Sequence, residues 1–130
     1  MRITPPVKYD GLPCSYVGVG CAYEDINKTN FTEPLPEGLR SDGWLKLEDM
    51  NRYIRHHLSI KKSVYYKRNK RITLRKFLAT NTAKACVCVY GHFIYVNGND
   101  YWSFFDNDFD KIVCIWYIKS NNDITFRQNI

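Results

Sequence analysis

The sequence predicts a single α+β domain in which an N-terminal helix carrying Cys14 packs on an antiparallel sheet. Three observations carry that expectation. A proline-punctuated segment ends at Pro13 and opens onto Cys14–Ile26, which reads as a helix. Trp44–Leu58 repeats Leu47, Met50, Ile54 and Leu58 at helical spacing, the buried stripe of an amphipathic helix. The C-terminal half holds apolar and aromatic runs divided by Asn97-Gly98, a short turn signal. At 130 residues and 45% hydrophobic, the chain can fill one core and is too short for two, so residues 1–130 form one domain.

Pro5, Pro6 and Pro13 keep residues 5–13 out of regular helix, which places Cys14 in the first turn of its helix. There the unpaired backbone N–H groups and the positive end of the dipole favour a thiolate and can hold a developing oxyanion. Cys21, seven residues on, has neither benefit. Gly18 and Gly20 each cost roughly 1 kcal/mol in a helix interior relative to alanine. That cost is explained if the helix must lie very close to a sheet. The plainer reading of Cys14 is an ordinary buried small residue.

Residues 27–43, with Pro34, Pro36 and Gly38, read as a surface loop. His56 and His57, adjacent at the end of the amphipathic helix, cannot both face one metal; they read as cations near a helix C-terminus. Next comes the loudest charge feature. Lys61, Lys62, Lys67, Arg68, Lys70, Arg71, Arg75 and Lys76 put eight cations into one stretch without an acid, against a whole-chain net of +6. The basicity is therefore local. With Tyr65 and Tyr66 inside it, the stretch suits nucleic acid. It equally suits an acidic protein or substrate, and the bland alternative is a solvated, charged strand that resists edge pairing.

Strands are expected at 85–90, 92–97, 100–105 and 112–118. A two-residue turn at Gly98-Asn99 sets Asn97 against Asp100 and His92 opposite Phe105, with Asp106 one step beyond. Asp106 is then placed to accept a hydrogen bond from the His92 ring, fixing its tautomer and supporting its protonated form. A slip of one residue would undo this and leave a partly buried strand histidine and a turn aspartate. Cys86 and Cys88, at strand spacing, belong to the core. The run Asp106–Asp110 is not a calcium loop, since Lys111 and Tyr117 stand where glycine and glutamate are needed. No other spacing suits a metal and no phosphate loop appears, so neither metal nor cofactor is expected. From Ser120 the tail is polar and frayed, apart from a short strand at Ile124–Phe126.

Five cysteines without a secretory signal argue for reduced thiols, and no stretch has the length to span a membrane. The expected compartment is the cytoplasm.

An early cysteine opening a helix, then a Gly-His strand, a hairpin and an aspartate, resembles the papain-like cysteine peptidase fold. It is most similar to the small papain-like proteins encoded by bacteriophages. Tyr90-Gly91-His92-Phe93-Ile94-Tyr95-Val96-Asn97-Gly98 carries the first half of their run, Trp102-Ser103-Phe104-Phe105-Asp106 the second, and Val113–Tyr117 the final strand. Thr73–Leu78 resembles the short helix leading into their central sheet. Two departures stand out. Lys8 occupies the place of the usual glutamine that completes the oxyanion hole, with no Gln or Asn between Met1 and Cys14. Ser103 replaces the first aspartate of the pattern, leaving Asp106 as the surviving acid.

The resemblance implies a papain-like α+β fold and a thiol hydrolase acting on a peptide, isopeptide or side-chain amide. Cys14 would attack the carbonyl, His92 take and return the proton, and Asp106 orient His92. The Cys14 N–H would form half the oxyanion hole, with Lys8 or Ser15 as second contributor. The rival is a catalytically inert phage-type protein that binds and inhibits a host protein or nucleic acid in the host cytoplasm through residues 60–76. Neither reading involves a membrane.

Overall fold

Alternation of side chains along the central strands sorts the core into two layers, one on each face of a sheet. The computed structural model describes residues 1–39 and 46–119. Its elements are β1 (Arg2–Ile3), α1 (Cys14–Asn27), α2 (Leu47–His57), β2 (Ile60–Tyr65), α3 (Leu74–Leu78), β3 (Lys84–Val89), β4 (His92–Asn97), β5 (Asp100–Trp102) and β6 (Ile112–Ile118), with short 3₁₀ turns at Val7–Tyr9 and Arg68–Lys70. The fold is α+β. Its six strands lie in the order β1-β5-β4-β3-β6-β2. β1 pairs parallel with β5 and the remaining pairs are antiparallel, so the sheet is mixed where an all-antiparallel one was expected.

Cys86, Cys88, Phe93, Tyr95, Cys114 and Trp116 face α1 and α2. Ala85, Val87, Val89, Ile94, Val96 and Ile115 face the other way, against Leu74, Phe77 and Leu78 of α3. The two layers are the period-two pattern of strands buried on both sides. On α1, Gly18 rests on the Phe93 ring; a Cβ there would fall inside van der Waals contact. The expected close approach of helix to sheet is thus located at Gly18, whereas Gly20 makes room for the Tyr9 ring instead. α2 buries Ile54 and also Tyr53, half-buries Leu47 and Met50, and is tied to the sheet by Trp116 Nε1 donating to Asn51 Oδ1 at 3.0 Å.

Several expected boundaries move. Trp44 and the tail strand at Ile124–Phe126 lie outside the described residues. The loop after α1 is no mere surface excursion, because Phe31 is buried against Tyr16, Tyr23 and His57. Packing on Phe31 and Tyr53 also changes His57: burial, with His56 beside it, holds its pKa below the usual value, so it is no C-terminal cation. The β4–β5 turn has the expected register, Asn97 opposite Asp100. β5, however, ends at Trp102 rather than at residue 105. The Ser103 N–H still bonds Ile3 O at 3.1 Å, in line with Tyr101 N to Met1 O, but its hydroxyl accepts from Phe105 N at 3.1 Å, a side-chain turn that takes the chain out of the ladder. Among the described residues no helix is long and apolar enough to cross a membrane.

Candidate active site

Cys14 opens α1 behind Pro13, whose carbonyl accepts the first intrahelical bond from Val17 N at 3.0 Å. His92 opens β4, delivered by the two-residue turn Tyr90-Gly91, where Gly91 takes the positive φ of +82° that a residue with a Cβ adopts at a cost. Because α1 packs along β4, the two starts meet: Cys14 and His92 line one cavity of about 390 Å³. Leu12, Trp102, Phe104 and Phe105 complete a largely apolar wall, and the Phe105 ring stands edge-on to His92 at 5.7 Å.

The electrostatics differ from a ready thiolate–imidazolium pair. Burial pushes the Cys14 thiol up, against hydrogen bonding by the Phe93 backbone and by the backbone N–H groups of Ser15 and Cys14 itself, which pulls it down. Desolvation outweighs the helix terminus, so the expected thiolate is a neutral thiol at rest. Cys14 is nevertheless half-buried, whereas the other four free cysteines are buried. Burial pushes Cys21 and Cys88 up to about 12 and Cys114 up to about 11, which makes them inert core thiols. His92 is also neutral, since burial holds its pKa down while the Asp110 carboxylate opposes that.

What orients His92 is Ser103. Its Oγ lies 3.3 Å from His92 Nε2 and donates to Asn107 Oδ1 at 2.6 Å, and Asn107 Nδ2 in turn donates to Asp110 Oδ2 at 2.7 Å. The carboxylate can only accept, which sets the Asn107 amide; Asn107 Oδ1 then takes the single Ser103 proton. Nε2 must therefore donate to Ser103, and Nδ1 is left as the basic nitrogen. The chain His92–Ser103–Asn107–Asp110 runs in one donor direction and ends on a charge. Ser103 and Asn107 are both buried.

Asp106 is not in that chain. Its carboxylate accepts from Asp108 N at 3.0 Å and lies 3.5 Å from Tyr101 Oη, on an exposed cleft shared with Met1, Arg2 and Arg75. Once β5 stops at Ser103 the two-residue alternation no longer applies, so the position beyond Phe105 does not face His92. Lys8 also leaves the picture as an oxyanion donor. Its ammonium is paired with Glu24 of α1, beside Lys28 and away from the Cys14 cavity. Ser15, the other expected contributor, follows Cys14 in the first turn of α1 and is buried. The sequence reading passed over Asn107 and Asp110 as site residues; the signal present was their spacing of four and seven from Ser103 on a short polar loop.

The basic segment divides. Lys61 and Lys62 lie on the edge strand β2 and share a cleft with Lys84 and Lys119. Lys67, Arg68 and Lys70 are exposed in the 3₁₀ turn that follows, near the far end of β2. Arg75 stacks over Phe109 at 5.7 Å in the direction of Asp106 and Asp108, and Lys76 is exposed on α3. Arg71 is half-buried and its charge lowers the Cys88 pKa. Among the described residues no cluster of three or more His, Cys, Asp or Glu side chains is placed to hold a metal ion.

Comparison of the chain with protein-family models, with curated proteins and with solved structures finds no match.

Proposed function

We propose that the protein is a papain-like thiol hydrolase that forms an acyl-enzyme at Cys14. The observation that supports this most is the shared cavity of Cys14 and His92, together with a hydrogen-bond chain that occupies His92 Nε2 and leaves Nδ1 to take a proton. Because thiol and imidazole are both neutral at rest, attack is general-base assisted: Sγ adds to the carbonyl carbon as its proton moves to His92 Nδ1. The imidazolium gives that proton to the leaving group, whose bond to carbon breaks, and water activated by His92 then hydrolyses the thioester. The positive charge on His92 is countered through Ser103 and Asn107 by Asp110. The N–H groups of Cys14 and Ser15, in the first turn of α1, receive the oxyanion. An apolar wall of Leu12, Trp102 and Phe104 suits an acyl group with an apolar or aromatic side chain.

The test uses the p-nitrophenyl ester of an N-acylated phenylalanine. A burst of nitrophenolate and a thioester mapped to Cys14 by peptide mass are expected, with the adduct absent in Cys14→Ala. His92→Ala should slow acylation roughly 100-fold. A full-length protein that gains no adduct at Cys14, or acylates equally with His92 replaced, overturns the reading.

A further inference from the structure

The second large cavity lies at the opposite end of β4 from His92, about 17 Å away by strand rise. It measures about 530 Å³ and is lined by Lys61, Lys62, Lys84 and Lys119 together with Asn97 and Tyr117. Four adjacent strands build it. β4 ends there at Asn97, β3 begins opposite it at Lys84, β6 runs out into Lys119, and β2 enters alongside Ile118.

Two features make this more than a set of surface lysines. Consecutive residues of a strand point to opposite faces, yet Lys61 and Lys62 both line the cleft. The register shift between Ile60 and Lys62 permits this, because a bulge breaks the alternation and re-aims one side chain. The lining is also one-signed: among the described residues no carboxylate faces the cavity. Asp25, which is not among the lining residues, is engaged by Tyr95 Oη at 2.6 Å, by Asn97 Nδ2 at 3.0 Å and by the Lys28 ammonium at 3.6 Å, and the Lys84 charge also acts on it. The Tyr117 ring offers a flat apolar surface beside the cations, with the Lys62 ammonium 5.2 Å from its centroid. Exposed Tyr65 and the cations Lys67, Arg68 and Lys70 continue the edge strand beyond the cleft.

We propose that this cleft binds the phosphates of a nucleotide, either free or as part of a single strand, with a base laid against Tyr117. Converging cations answer the charge of neighbouring phosphates, and an aromatic face among them is what single-stranded binders use for bases. The cavity has the size of a small-molecule site. The proposal is independent of chemistry at Cys14.

The test is fluorescence anisotropy of the full chain with a labelled oligothymidylate of about twelve nucleotides, competed by ATP and by polyglutamate. Binding should weaken with salt at a log–log slope of about −3, the value for four phosphate contacts on a single strand. Lys84→Glu with Lys119→Glu should weaken it roughly 10- to 30-fold near 0.1 M salt, while Lys76→Glu leaves it unchanged. Both variants are checked for folding by circular dichroism. ATP competing as well as unlabelled strand identifies a free nucleotide, and weak ATP competition identifies a strand; either supports the site. No binding at low salt, equal competition by polyglutamate, or equal weakening by Lys76→Glu overturns it.

Discussion

The Ser103 hydroxyl stands 3.3 Å from His92 Nε2 and donates its own hydrogen bond to Asn107 Oδ1, so a neutral serine fixes the tautomer of the histidine. Removing that hydroxyl in Ser103→Ala strands Asn107 Oδ1 and Phe105 N as well as the imidazole. A loss of about 1–3 kcal/mol is expected in urea unfolding. Iodoacetamide labelling of Cys14 should also slow, by about tenfold, because His92 no longer holds one tautomer. A purely structural serine would change the unfolding curve and leave the labelling rate alone.

Asp106→Asn and Asp110→Asn separate the two acids of the loop. Asp110 raises the His92 pKa, so its neutralisation should move the imidazole titration, followed by NMR of the ring protons, to lower pH. Asp106→Asn should leave that titration in place. Equal shifts in the two variants would mean that the charge acts through solvent and not along the hydrogen-bond chain.

Gly18→Ala tests the helix–sheet contact. In an open helix the change would stabilise by roughly 1 kcal/mol, but here the added methyl meets the Phe93 ring, next to His92. Destabilisation of about 1–3 kcal/mol is expected, together with altered labelling of Cys14. A more stable variant would show that the ring gives way freely.

Asp25 links α1 to β4. Burial raises its pKa, yet hydrogen bonds from Tyr95 and Asn97 and the charges of Lys28 and Lys84 bring it below the usual value. A folded pKa below the unfolded one means that the stabilisation is complete above the ordinary aspartate pKa near 3.9 and is lost as pH falls through the folded value. The wild-type protein should therefore lose melting temperature below about pH 4 more steeply than Asp25→Asn. Parallel acid slopes would remove Asp25 from that account.

The parts of the fold written locally were readable in advance. Pro13 marks the start of α1, and Asn97-Gly98 sets a turn whose register needs no information from elsewhere. β1 was not readable, since two residues carry no periodicity and hold only because they find β5 about a hundred residues away. β5 ends at Trp102 because the Ser103 hydroxyl turns the chain through Phe105 N. This is why alternation failed to predict the partner of His92 and pointed to Asp106 rather than Ser103. The charge of residues 60–76 was plain, but its division depends on a bulge in β2 and on Lys84 and Lys119 arriving from other strands. The neutral resting state of Cys14 follows from burial, which a helix terminus alone does not reveal.

The backbone bond from Ser103 to Ile3 gives the molecule an order of assembly. Cys14 is made before His92, Ser103, Asn107 and Asp110, which follow it by 78 residues or more. Ile3 cannot hold Ser103 until synthesis has passed residue 103. A nascent chain therefore carries its thiol without a base, and contacts of such high sequence separation form late in folding. Reactivity at Cys14 thus reports that synthesis has passed Asp110: products truncated before it would carry the nucleophile and remain chemically quiet.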